Sequence, residues 1–206
     1  MERLHIQLFQ QLAVSVGSDS PIELGSPTAR ALFAYLVLNK DKAIDRRQLA
    51  FLIWTRASEQ AARRNLRQYL HRLRRGLEEI DPNGRLILTE GNTVRFNPQA
   101  DCTIDVFAFE QAIAAADYPR AIALYRGDLL TEIYDEWVED DRRRLARLYR
   151  DALIHQIEAH EAAAEYKQAI PIARAYLAAD PLQEAAHVRL MKIYYASGNR
   201  ARVNSQ

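Results

Sequence analysis

Residues 62–75 read ARRNLRQYLHRLRR, with six arginines, one histidine and no acid, in a 206-residue chain of formal charge only +1. Guanidinium groups bind phosphate, and Arg, Gln and Asn are side chains that can read base edges in a DNA major groove. On a helix at 100° per residue, Leu66, Leu70, Leu73 and Leu77 share a narrow arc, as a buried stripe does. Arg64, Gln68, His71 and Arg75 repeat that spacing on the opposite side. Asn65 and Arg72 flank them on one edge, Arg67 and Arg74 on the other. A charged helix face is ordinarily just solvated. Here, however, residues 60–77 hold no Asp or Glu, so neighbouring arginines repel one another without i,i+4 relief. Phosphates would remove that repulsion, and counterion release would supply affinity. The residue types and spacing therefore predict a surface for a polyanion, with Gln68 and His71 at its centre.

The elements that must carry this face come before and after it. LHIQLF and LAVSV have strand-like patterning, and PIEL, set off by GSDS, is a third strand candidate. Ser26-Pro27 opens an apolar-faced helix, TARALFAYLVLNK, with a serine cap and a proline in the first turn. Asp45 and Gln48 have capping-box spacing at the start of RRQLAFLIW. The arginine-rich helix then spans roughly 59–80 and DPNG stops it. RLILTEGNTVRFNP reads as a β-hairpin around EGN. Two helices, an arginine-rich third and a hairpin are the order of a winged helix-turn-helix, whose last helix enters the major groove.

After Asp101 the pattern is helical almost throughout. ADYPRAIALYR at 116–126 matches AEYKQAIPIAR at 164–174, and a weaker copy, GNRARVN, begins 34 residues after Ala164. That period, with DPLQEAAHVRL as a further Asp-capped helix start, predicts an all-helical, tetratricopeptide-like array. The chain ends at ARVNSQ inside what reads as another repeat. The expected fold is thus an α+β winged helix-turn-helix domain over 1–97 and an all-α tetratricopeptide-like domain over 98–206. Charge divides at the same place: residues 1–97 carry 15 Lys and Arg against 10 Asp and Glu, the remainder 13 against 17. A basic part suited to a polyanion is joined to an acidic part suited to something else.

Several classes are disfavoured. Cys102 is the single cysteine, so no internal disulfide forms and a reducing, cytoplasmic setting is expected. No apolar run approaches membrane-spanning length, and no signal peptide is visible. There is no nucleophile elbow, glycine-rich phosphate loop or paired acid–base motif, so an enzyme is not expected. No metal or other cofactor is expected either; His155 and His160 are five apart and off one helix face. WVEDDRRRLARLYRDAL places acids before bases, as helix stabilisation does. Tyr118, Tyr125, Tyr149, Tyr166, Tyr176, Tyr194 and Tyr195 sit at helical spacings and are expected in an aromatic core.

Eight segments in this order resemble the SARP family of bacterial transcriptional activators: LHIQLF…LAVSV, SPTARALFAYLVLN, IDRRQLAFLIW, ARRNLRQYLHRLRRGL, DVFAFEQAIA, ALYRGDLL, WVEDDRRRLARLYRDAL and AADPLQEAAHVRLMKIYYASGNR. The resemblance implies an OmpR-type winged helix followed by a bacterial transcriptional activator domain. It implies double-stranded promoter DNA and RNA polymerase as partners, with self-association on repeated half-sites. It places DNA-facing groups at Arg64, Asn65, Gln68, His71 and Arg72, and the wing tip at Gly91, Asn92 and Thr93. The tip itself has Glu90 and no Lys or Arg, so Arg85 or Arg95 beside it would supply any charge. It also likens WTRASEQ to a polymerase-touching loop, with Arg56 and Glu59 as surface candidates and Trp54 as core. A rival reading from another class is a protein-interaction scaffold built on the repeat, its winged helix structural or protein-binding. The two readings differ on whether the 62–75 face is exposed and free of acidic neighbours.

Overall fold

Alternating apolar residues at the N-terminus form an antiparallel hairpin of β1 (Leu4–Gln7) and β2 (Ala13–Val16), which buries Leu4, Ile6 and Val14. In this computed structural model, which describes residues 3–17 and 20–198, PIEL is not a strand. Pro21 offers no donor, and only the Ile22 N–H pairs with β2, at the Val14 carbonyl (2.7 Å). Ser26 accepts the Ala29 N–H and opens α1 (Pro27–Leu38) with proline in its first turn. A two-residue strand, β3 (Ile44–Asp45), leads into α2 (Arg46–Ile53). Ser58 caps α3 (Glu59–Gly76), which stops four residues before the predicted end. At Gly76 a Cβ would stand 3.3 Å from the Glu23 carbonyl oxygen, so the PIEL segment passes directly against this helix end. The β4 (Ile87–Glu90) and β5 (Thr93–Phe96) hairpin turns through Gly91-Asn92, with Gly91 at φ +57°.

Two strands have no local signature. β3 adds to β5, giving the order β3-β5-β4, and β6 (Cys102–Ile104) adds parallel to β1, giving β2-β1-β6. Both are paired with residues roughly fifty or a hundred positions away, so neither is visible as a periodic run. The chain resolves into two compact units. The first is Met1–Asp105 with Leu130–Val138; the second is Val106–Leu129 with Glu139–Gln206. The first unit therefore runs past residue 97 and recovers a segment from the second half. In that segment Leu130 and Thr131 donate to the carbonyls of Leu8 and Gln10, Glu132 accepts from the Leu12 N–H and Arg30, and Trp137 packs edge-on against Tyr35.

This division redistributes the charge. Asp101, Asp105, Glu132, Asp135 and Glu136 all fall in the first unit, which holds 15 Lys and Arg against 15 Asp and Glu; the second holds 13 against 12. The expected contrast between a basic and an acidic part is not a contrast between folded units. It is a local contrast inside the first unit.

The second unit contains α4 (Asp105–Ala114, of which Asp105 belongs to the first unit), α5 (Tyr118–Leu124), α6 (Glu139–Ala162), α7 (Tyr166–Ala179) and α8 (Glu184–Ala196). The repeat reappears in the backbone. Ala116 and Ala164 occupy matched positions and are both left-handed, at φ 54° and 57°. Each donates to the residue three back, and the residue after each donates five back, from Asp117 to Ala112 and from Glu165 to His160. These are the paired bonds of a Schellman helix stop. Ala121 and Ala169, at matched positions, are fully buried. Gly198 (φ 79°) holds the corresponding place in the third copy, whose remaining residues lie outside the described ones. The predicted helix start at Asp180-Pro181 is not realised; Arg150 draws the Asp180 carboxylate into an ion pair (2.8 Å), and α8 begins at Glu184. In α6, Glu139, Asp140 and Asp141 pair with Arg142, Arg143 and Arg144, one turn on. Of the tyrosines expected in the core, Tyr176 and Tyr194 are buried, Tyr118, Tyr125, Tyr149 and Tyr166 half-buried, and Tyr195 is 63% exposed.

Candidate nucleic-acid interface

α3 is positioned by its leucines. Leu66, Leu70, Leu73 and Leu77 are all buried, with Ala62 one turn earlier. They pack the helix against α1 and α2, whose own core residues include Leu32, Phe33, Leu36 and Leu49. With that stripe fixed, helical geometry turns the opposite residues outward. Arg64, Arg67, Gln68, His71, Arg72 and Arg75 are exposed and Asn65 is half-buried.

What these side chains touch sorts them further. Among the described residues, the side chains of Arg64, Asn65, Arg67, Gln68, His71 and Arg75 have no hydrogen bond or ion pair. Arg72 lies over the Tyr69 ring, 5.2 Å from its centre, and Tyr69 in turn packs on Trp54 at 5.3 Å. Arg63 pairs with Glu59 (3.5 Å), the one acid in the first turn. Arg74 is turned to the hairpin, where its Nη2 donates to the Ile87 carbonyl (3.1 Å) and the Thr89 hydroxyl (2.7 Å). The arginine excess of the sequence thus separates into groups already engaged and groups left open to solvent.

The hairpin offers less. Asn92 donates its amide to Asp45 (2.6 Å), and the Thr93 hydroxyl donates to the Glu90 carbonyl (2.9 Å), so both predicted tip residues are committed within the protein. Arg95 is paired with Glu90 (2.9 Å), whereas the Arg85 side chain is exposed. Asp45 is a site residue that the sequence did not single out beyond its cap. One oxygen accepts the Arg47 and Gln48 N–H groups, the other accepts Asn92, and these bonds hold its carboxyl below the ordinary range. In the loop before α3, Arg56 is exposed. Glu59 is bound on both sides, by Arg47 (3.1 Å) and Arg63. Trp54 is half-buried, in keeping with a packing role.

Comparison with known proteins bears on what such a surface serves. Residues 19–93 match the family described as transcriptional regulatory protein, C terminal, and residues 105–203 match the bacterial transcriptional activator domain. The chain belongs to the SARP family of transcriptional regulators. Similar SARP-type proteins include the transcriptional regulatory protein MoaR1 of Mycobacterium tuberculosis, 26% identical over 85% of this chain and 62% of MoaR1. The regulatory protein AfsR of Streptomyces coelicolor is also 26% identical, over 86% of this chain and 19% of AfsR. EmbR of M. tuberculosis is 25% identical over 97% of this chain and 55% of its own length. The chain thus spans about three-fifths or less of these relatives. A solved structure of M. tuberculosis EmbR, in complex with a low affinity phosphopeptide, shares the fold, with a TM-score of 0.78 over 98% of this chain and 57% of that one at 22% identity. The winged-helix region followed by a helical domain is therefore the architecture of a SARP-type regulator. No helix among the described residues is long and apolar enough to cross a membrane.

Proposed function

We propose that this regulator binds double-stranded promoter DNA by laying α3 in the major groove, and activates transcription by contacting RNA polymerase. The observation that carries the reading is the outer face of α3. Arg64, Arg67, Gln68, His71 and Arg75 project from a helix anchored by leucines, and among the described residues none has an intramolecular partner. Unpaired like charges on one face cost stability unless something anionic meets them. Gln68 and Asn65 add amides that can read base edges, while the arginines suit phosphate as well as bases. Arg72, stacked on Tyr69, is held beside them. This face is exposed, and among the described residues Arg64, Arg67 and Arg75 form no ion pair, which favours DNA over the scaffold reading.

Asn92 and Thr93 each commit one side-chain hydrogen within the protein, which leaves the second Asn92 amide hydrogen and backbone groups for DNA. Arg85 is the open charge on the wing side. Arg56 is the better polymerase candidate, because Glu59 is bound between two arginines. The protein acts in the cytoplasm, without catalysis, and the DNA-binding division of labour falls to the unit containing α3. Self-association would follow from repeated half-sites in the DNA rather than from a feature of the chain. Selection of bound fragments from genomic DNA, followed by titration of one selected duplex, tests the reading. Recovery of a recurring motif supports it, and uniform recovery of all sequences, or none, rejects it.

A further inference from the structure

We infer that Arg74, together with the Asp45–Asn92 pair, sets the position of the wing relative to α3, and that Arg74 acts as a positioning residue rather than as a phosphate contact. The inference rests on the DNA-binding reading above. A helix and a hairpin that meet the same duplex must hold a fixed separation, yet α3 shares no strand pairing with β4 or β5. β3 and the buried Ile87, Val94 and Phe96, with Phe96 edge-on to Phe33, anchor the hairpin to the core, but none of these bonds ties it to α3.

Two further fastenings tie the hairpin towards α2 and α3. Near the base of the hairpin, the Arg74 guanidinium reaches from α3 to β4 and gives Nη2 hydrogens to the Ile87 carbonyl (3.1 Å) and the Thr89 hydroxyl (2.7 Å). At its tip, Asn92 donates to Asp45 (2.6 Å) and accepts from the Arg46 backbone N–H at its own carbonyl (2.9 Å), beside the β3–β5 pairing. The ring closes through α2. Asp45 caps that helix, and Arg47 on its first turn pairs with Glu59 at the start of α3. The links run from α3 to β4, through the hairpin to β5, from Asn92 to Asp45 before α2, and from α2 back to α3. Both bonds come from Nη2, so they hold the guanidinium against β4, while its Nε and Nη1 hydrogens are not used by them. Arg74 thus differs in kind from Arg75 beside it, although both lie in the same basic run.

The test compares the full chain with Arg74→Ala, Arg74→Lys and Thr89→Val, titrated on a genomically selected duplex at several salt concentrations and footprinted with hydroxyl radical. Arg74→Ala should weaken binding roughly three- to tenfold, leave the salt slope unchanged, and lose protection only where the wing lies. Arg74→Lys, which keeps the charge but not the fork, should recover at most part of the affinity. Thr89→Val removes one acceptor from an exposed strand position, alters no charge, and should weaken binding in the same direction without adding to Arg74→Ala. A slope reduced by about 0.9 in Arg74→Ala, with full activity in Arg74→Lys and Thr89→Val, would mean that Arg74 meets phosphate and would overturn the inference alone. A wild-type chain that binds no duplex would overturn the DNA reading and this inference with it.

Discussion

The six arginines between residues 62 and 75 should not contribute equally to DNA affinity. Arg63 is paired with Glu59 and Arg74 is tied to the wing, whereas among the described residues Arg64, Arg67 and Arg75 are unpaired and Arg72 rests on an aromatic ring. If each of those four meets one phosphate, α3 alone adds about 3 to 4 to the log–log dependence of affinity on salt, at roughly 0.9 per contact. A fourfold rise in salt would then cost about two orders of magnitude in affinity. Arg67→Ala should lower the slope by about 0.9, and replacing Arg64, Arg67 and Arg75 together by about 3. Arg63→Ala should leave it nearly unchanged, because Glu59 remains paired with Arg47. Fluorescence anisotropy of a labelled duplex at five or six salt concentrations measures each slope. Equal reductions for Arg63→Ala and Arg67→Ala would refute the sorting by partner, since total charge rather than availability would then govern binding.

Other consequences concern the helical unit. Ala116 and Ala164 pay for left-handed backbone that glycine adopts freely, so Ala116→Gly and Ala164→Gly should each stabilise the protein by about 0.5–1 kcal/mol, despite glycine's poor helix propensity; thermal unfolding checks the sign. Burial raises the pKa of Tyr125 and Tyr149, whose rings stack at 4.1 Å, and an Asp128 hydrogen bond raises that of Tyr125 further. A raised native pKa contributes stability that is complete below the unfolded value of about 10 and is lost as pH rises through the native one. Absorbance at alkaline pH should therefore show these phenols ionising late and together with unfolding, and normal titration of every tyrosine in a still-folded protein would count against their burial.

Features carried by local periodicity were legible in the sequence. The leucine stripe and polar face of α3 follow from a 3.6-residue period, Ser26-Pro27 and Asp45 from capping chemistry, and the α5–α7 repeat from matched Ala and Tyr positions. What was not legible is set by distant partners. β3 and β6 are too short to show a pattern and exist because Val94 and β1 pair with them. Asp180 has the sequence of a helix cap but serves Arg150 instead. Segment 130–138 sits within the helical half of the chain but folds with the first unit, and its three acids, with Asp101 and Asp105, cancel the charge contrast. The same holds at the candidate site. Composition marks every arginine in 62–75 alike; Arg63 is taken by Glu59 one turn earlier on the same helix, a local pair, whereas only tertiary structure shows that Arg74 is taken. Likewise Asn92 lies at a hairpin tip, where nothing in the neighbouring sequence reveals that Asp45 holds it.

The central claim, that α3 reads bases as well as attracting phosphate, falls most directly on Gln68. Its side chain lies opposite the buried leucines, is exposed, and carries no charge to offer a phosphate. Its amide can give and take one hydrogen bond at an adenine edge. The decisive measurement is the affinity of Gln68→Ala for a selected duplex and for a scrambled duplex of the same length. Binding to the selected site should weaken by about 1–3 kcal/mol, with scrambled binding and salt slope unchanged. Equal loss on both duplexes, or no loss on either, would contradict the account, because Gln68 would then take no part in reading sequence.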